Sequence, residues 1–313
     1  MAETILYYDC FSGICGDMNL AAMVDLCVPP EHLREELGKL GLGGWSLRFA
    51  ADSKKSIHGT RADVDLAPEP LGPRGFSLAR ENRGDHRSFA DIRRMIEGSS
   101  LPDGTKARSL AIFSKLAEAE AKVHHQSIEE IHFHEVGAVD SIVDIVGAAV
   151  CLEYFKPDRV LASSVELGGG FVKCQHGLLP VPAPAVVELL VGALVKSGAV
   201  PFEMTTPTGA AILAANVEEF TDDKRFVIKK IGYGVGHRDT DIPNLLRVFL
   251  GESSPTRVAP VQPGVLLECN IDDMSPELYG NLFDQFFAAG AWDLWFTPIV
   301  MKKSRPAVML SVL

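Results

Sequence analysis

An apolar run, a glycine loop and a helical face open this chain, and that order restricts its fold more than any other feature. Thr4-Ile-Leu-Tyr-Tyr8 reads as a buried strand, and Leu20, Met23, Val24 and Leu26 recur at helical spacing. Between them lies Asp9-Cys-Phe-Ser-Gly-Ile-Cys-Gly-Asp17. A strand feeding a helix through a tight loop predicts layered α and β structure. Alternation within residues 46–66, as in Ala62-Asp-Val-Asp-Leu66, predicts strands with one solvated face. Helical patterns follow at 89–96, 106–124 and 141–154, and Pro184 stands near the start of another helix, where its missing N–H costs little. Residues 225–231 and 245–250 read as strands flanking a glycine-rich turn, 232–239.

Two stretches break the pattern. Residues 67–85 turn to Pro, Gly and Arg and read as an exposed loop; residues 253–263 read as a domain boundary. Beyond that boundary a strand, a helix and two strands form a βαββ run, about half of a ferredoxin-like split βαβ fold. The expected class is α+β (mixed α/β). A larger N-terminal α/β domain at 1–255 handles metal and substrate, and a partial ferredoxin-like nucleotide-binding domain covers 260–313. The chain stops on its last strand, so the expectation is either that a partner or a homo-oligomer completes that sheet or that the sequence lacks a C-terminal part of this domain.

With 313 residues and 47% hydrophobic content, the chain can build such cores without disulfides. Its formal charge of −11 argues against general nucleic-acid or anionic-membrane binding, which draws on clustered Lys and Arg. The longest apolar segments, such as 183–195, carry a Glu and fall short of the roughly 20 residues of a membrane span. No basic region followed by a long apolar stretch opens the chain. Six cysteines in a chain this size make no disulfide framework, and the expected location is cytoplasmic.

The strongest chemical signal is Ile131-His-Phe-His-Glu-Val-Gly-Ala-Val-Asp-Ser-Ile-Val-Asp144. In an extended segment His132 and His134 share a face. Along the following helix Asp140, Asp144, Gly147 and Cys151 form one stripe, with Gly147 leaving room for a ligand. Two imidazoles with Glu135, Asp140 and Asp144 suit a first-row divalent metal such as nickel, zinc or manganese. The competing reading makes Asp140 a helix cap, Asp144 solvated and the histidines core hydrogen-bonders.

Loop 9–17 lacks the Gly-Lys-Ser/Thr of a Walker A loop, yet Gly13 and Gly16 permit close backbone approach to an anion at a helix start; the alternative is that Asp9 and Asp17 bind a metal or cap the helix. Thr205-Thr-Pro-Thr-Gly209 offers Thr206, Thr208 and Gly209 for the same task, with plain N-capping as the alternative. His176 beside Cys174 forms a two-ligand pair, and 232–239 supplies a His and an Arg on a flexible turn. Asp272 and Asp273 end a strand, while Lys302 and Arg305 lie between two others. Carboxylates there suit Mg2+ or Mn2+ on a triphosphate, and the cations would neutralise it.

Taken in order, these segments resemble the LarC family of nickel insertion proteins. The stretches that carry the resemblance begin with Asp9-Cys-Phe-Ser-Gly-Ile-Cys-Gly-Asp-Met18, Ala117-Glu-Ala-Glu-Ala-Lys-Val123 and His132-Phe-His-Glu-Val-Gly-Ala-Val-Asp-Ser-Ile-Val-Asp-Ile-Val-Gly147. Next come Leu167-Gly-Gly-Gly170, His176-Gly-Leu-Leu-Pro-Val-Pro-Ala-Pro184, Thr206-Pro-Thr-Gly-Ala210 and Ile231-Gly-Tyr-Gly-Val-Gly236. Asn270-Ile-Asp-Asp-Met274 and Met301-Lys-Lys303 complete the set. No one motif is diagnostic; the ordered set is specific.

The resemblance implies CTP-dependent insertion of Ni2+ into pyridinium-3,5-bisthiocarboxylic acid mononucleotide, with a carbon–nickel bond formed, to mature the cofactor of lactate racemase. It implies a nickel chelatase (a lyase) whose C-terminal part binds CTP with Mn2+ or Mg2+. Three departures stand out: Cys15 replaces an expected Ser, residues 68–84 lack a His-rich tract, and family members usually extend past the last strand seen here. In this scheme His132, His134, Glu135, Asp144 and His176 hold nickel, and Glu135, Asp140 or Asp9 moves a proton. Ser12, Gly13, Gly16, Thr206, Thr208 and Gly209 hold the substrate phosphate; Asp272, Asp273, Lys302 and Arg305 hold CTP. A nickel storage module without turnover and a metal-dependent phosphohydrolase are the alternatives.

Overall fold

The computed structural model describes residues 2–66, 87–131, 133, 137–174, 177–253 and 264–313. The chain divides into two compact units, Met1–Pro255 and Thr256–Leu313. The fold is α+β in class, with helices and mixed sheets.

In the first unit the chain runs β1 (Thr4–Asp9), α1 (Gly16–Leu26), α2 (Pro30–Gly38), β2 (Trp45–Lys54) and β3 (Ile57–Leu66). It continues with α3 (Phe89–Gly98), α4 (Asp103–His124), α5 (Val139–Phe155), β4 (Arg159–Ala162) and β5 (Val165–Glu166). Then come β6 (Phe171–Cys174), β7 (Gly177–Pro180), α6 (Pro184–Leu189), β8 (Val195–Lys196), α7 (Pro207–Asn216), β9 (Glu219–Phe220), β10 (Phe226–Val235) and β11 (Leu245–Ser253). Seven strands form one sheet in the order β2-β3-β10-β11-β1-β4-β9. It is mixed: β1 runs parallel to β4 and antiparallel to β11.

Successive side chains of β1 go to opposite faces, as a pleated strand requires. Leu6, Tyr8 and Cys10 join the main core with residues of α1, α4, α5 and α7, whereas Ile5 and Tyr7 pack with Leu161, Phe249 and Phe226 on the other face. Ten residues of α5 are buried, from Ile142 to Leu152. Full burial of a large aliphatic side chain is worth about 1.5–3 kcal/mol, so α5 is anchored by its length inside the core.

Two glycine readings are corrected here. Gly232 and Gly234 lie inside strand β10 rather than in a turn, and the turn begins only at Gly236. A Cβ on Gly232 would collide with the Ala22 carbonyl, and one on Gly234 with that of Met18. Both glycines admit the backbone of α1 onto the sheet. Gly147 leaves room for the Leu20 side chain of α1, not for a ligand.

The second unit contains β12 (Leu267–Ile271), α8 (Tyr279–Ala288), β13 (Leu294–Met301) and β14 (Arg305–Val312). The strand order is β12-β14-β13, and β14 is antiparallel to both neighbours. The helix therefore connects two strands separated by a third, which is the split βαβ arrangement. Loop 67–85 lies outside the described residues, as does most of the break at 253–263. Among the described residues, no helix is long and apolar enough to cross a membrane.

Candidate functional site

Three helix starts and a strand end meet at one cavity of about 300 Å3. The start of α1 contributes Cys15, Gly16 and Asp17; α5 contributes Asp140, Ser141 and Asp144; and α7 contributes Thr206 and Thr208. Ala62 and Val64 of β3 and His237, just past β10, complete the lining.

Loop 9–17 and turn 205–209, remote in sequence, form one wall. Ile14 and Thr205 make a parallel bridge, in which the Ile14 N–H donates to the Met204 carbonyl (3.1 Å) and the Thr206 N–H to the Ile14 carbonyl (3.1 Å). Gly13 turns there at φ +76°, where a Cβ would strike Met204. Gly209 lies against the Ile14 carbonyl in the same way. The Thr206 hydroxyl caps α7 by accepting from the Gly209 N–H (3.3 Å), and Pro207 follows at the first helical position. Neither α1 nor α5 has a side-chain N-cap. First-turn amides and the positive ends of three helix dipoles thus face a shared space, which suits an anionic group.

The carboxylates there divide into two kinds. Asp17 stays below the usual carboxylate range although burial pushes the other way. Hydrogen bonds from His237, the Cys15 thiol and the Met18 N–H outweigh that penalty. His237 Nε2 lies 3.1 Å from Asp17 Oδ2 and 3.7 Å from Asp63 Oδ1. Its imidazole is pushed above its ordinary value chiefly by the Asp17 hydrogen bond, with Asp63 adding to it. Asp144 is pushed well above the carboxylate range, first by desolvation and then by the charges of Asp17 and Asp140. Its Oδ1 is buried and meets no hydrogen-bond donor among the described residues. Gly16 is obligatory beside it, because a Cβ there would collide with the Asp144 carboxylate. The Cys15 thiol is raised by burial, then by Asp17.

Of the residues expected from sequence, Gly16, Asp140, Asp144, Thr206 and Thr208 line this cavity. Asp9 does not: it is buried on β1 and takes two bonds from Arg247 of β11, from Nε at 3.0 Å and an Nη at 2.5 Å. Ser12 is fully buried, with no hydrogen-bond partner for its Oγ among the described residues. His132, His134, Glu135 and His176 lie outside the described residues. Among those described, no group of three or more His, Cys, Asp or Glu side chains is placed to hold a metal ion. Sequence reasoning passed over Asp63 altogether, took Asp17 only as a metal ligand or helix cap, and saw His237 only as a histidine on a flexible turn, joined to no other site residue. The alternate glycines at 232 and 234 were the available signal, since glycine inside a strand marks a close backbone approach.

In the second unit, Asp272 and Asp273 follow β12, and Lys302 and Arg305 bracket the short link between β13 and β14. Register pairs Ile271 with Val308 and Met301 with Arg305, so carboxylates and cations gather at one end of that sheet. Arg305 lies 3.8 Å from Asp272 Oδ2.

Fold and cavity together define a two-unit α+β protein with a carboxylate-lined pocket at the starts of three helices. The model of the nickel insertion protein family matches residues 6–313, and the chain belongs to that family. A pyridinium-3,5-bisthiocarboxylic acid mononucleotide nickel insertion protein from Clostridium kluyveri is 54% identical over 310 residues, covering 99% of this chain and 77% of that protein. Proteins of the same description from Clostridium acetobutylicum (52%) and Geobacillus kaustophilus (44%) each cover 99% of the chain, and it covers 78% and 76% of them. No solved structure matches.

Proposed function

We infer that this chain inserts nickel into pyridinium-3,5-bisthiocarboxylic acid mononucleotide, using CTP. The carrying observation is the convergence of three helix starts on one cavity with the carboxylates of Asp17, Asp140 and Asp144, the first and last of them part-buried. A mononucleotide with a cationic ring needs both: amides and helix dipoles for its phosphate, and negative side chains for its ring. Gly16, Thr206 and Thr208 receive the phosphate in this reading, while Asp140 faces the pyridinium and Asp144, held toward its neutral form by burial, is a reserve carboxyl that the cationic ring can ionise. Family membership and the names of relatives that share about half of its residues support the same substrate.

Nickel is cargo here, and the described residues alone do not supply a full ligand set. The two thiocarboxylates of the substrate provide sulfur donors. His132, His134, Glu135 and His176 would deliver the ion. CTP with Mn2+ or Mg2+ fits the second unit, where Asp272 and Asp273 would hold the cation and Lys302 and Arg305 the phosphates. Bound there, CTP would supply a phosphoanhydride whose cleavage drives insertion.

The test is incubation of the chain with Ni2+, CTP, Mn2+ and metal-free mononucleotide, followed by mass analysis. A nickelated mononucleotide is expected. Nickel bound without product would instead identify a storage module, and phosphate release independent of the mononucleotide would identify a phosphohydrolase.

A further inference from the structure

Nickel insertion at this substrate makes a demand that the phosphate cradle does not meet. Thiocarboxyl groups at ring positions 3 and 5 flank one ring carbon, so a nickel ion gripped by both sulfurs faces that carbon. Bond formation there expels the ring proton, and a base must receive it.

Among the described residues, the titratable side chains on the cavity wall are Cys15, Asp17, Asp140, Asp144 and His237. Cys15 is a part-buried thiol that donates to Asp17. Asp17 is saturated by donors from His237, Cys15 and Met18. Asp144 Oδ1 meets no donor among the described residues, and burial favours the neutral carboxyl. Asp140 uses Oδ1 on the Ser141 N–H (2.8 Å). His237 differs from all of them. It is half-exposed at the cavity, and a single nitrogen, Nε2, faces both Asp17 and Asp63.

We propose that His237, oriented by Asp17, accepts the proton released as nickel bonds to the ring carbon. This rests on the insertion reading above. Asp17 accepts from Nε2–H and so selects the tautomer whose Nδ1 carries the lone pair. The ring C–H bond breaks, its electron pair forms the carbon–nickel bond, and the proton passes to Nδ1. Nickel stays divalent, and no oxidant or reductant is consumed. The imidazolium that forms is offset by Asp17 and Asp63, with Arg61 as the opposing charge. Asp17 is a positioning residue, because it acts through His237.

The experiment measures initial rates of nickelated product with the full chain, Ni2+, CTP, Mn2+ and mononucleotide carrying hydrogen or deuterium at the reacting carbon. His237→Gln should lower kcat about 100-fold, the usual scale of a lost general base. KM for the mononucleotide should stay within about 3-fold, since the group acts in the transition state. Deuterium should slow this variant more than the wild type. Asp17→Asn should lower kcat less and move the acid limb of the pH–rate profile to lower pH. His237 is exposed, so mononucleotide binding by His237→Gln serves as the check that the variant is folded. Wild-type kcat in His237→Gln, or a loss confined to KM, overturns the proposal. If the wild type makes no nickelated product, the insertion reading itself fails and this assignment with it.

Discussion

Asp17 and Asp144 face the same cavity from two helices, one at the first turn of α1 and the other one turn deeper in α5. Asp17 collects three donors and keeps its charge; Asp144 collects none among the described residues and is driven toward its neutral form. The residue type is identical, so the difference belongs to the surroundings. A cavity with one committed anion and one reserve carboxyl can meet a cationic ring without holding two unscreened charges side by side.

The contrast breaks most severely at Gly16, which separates the two. Gly16→Val should cost about 3 kcal/mol in urea denaturation, the upper end of overpacking penalties, and should abolish mononucleotide binding. Next in size, Asp17→Asn should cost about 2 kcal/mol, the scale of hydrogen bonds to a charged group. Asp144→Asn should change stability by less than about 1 kcal/mol at neutral pH, because an amide replaces a carboxyl already favoured as neutral.

The pH dependence of stability is the finest discriminator. Asp17 is depressed in the fold, so its contribution is present above its unfolded value near 3.8 and is lost as pH falls through the lower folded value. Asp144 is raised, so its contribution is complete below 3.8 and is lost as pH rises toward the higher folded value. Asp17→Asn should therefore flatten the acid side of the stability profile, and Asp144→Asn its neutral side. His237 behaves like Asp144: the stability it gains from Asp17 is present below 6.5 and lost as pH rises through its raised value. Identical profiles for the two Asp variants would remove the distinction.

Much of this arrangement was legible in the sequence. β1, the glycine loop and α1 stand where the apolar run, the glycines and the helical spacing put them, because local backbone preference and burial agree there. The Asp140–Asp144 stripe does face the cavity. The pairing of loop 9–17 with turn 205–209 was not legible. It is made by backbone amides and carbonyls, which every residue carries and no spacing reveals. His237 was visible as a histidine, but its place beside Asp17 and Asp63 was not, for a related reason: alternate glycines read as a turn when taken alone, and as a strand only once α1 is packed upon them.

The bridge between Ile14 and Thr205 has a practical consequence for anyone dissecting this pocket. Its contacts are main-chain groups, so alanine scanning leaves them in place and would score that wall as dispensable. Only changes to the chain itself, such as an amide-to-ester replacement at Thr206 or an inserted residue in loop 9–17, would expose how much of ligand capture the bare backbone performs.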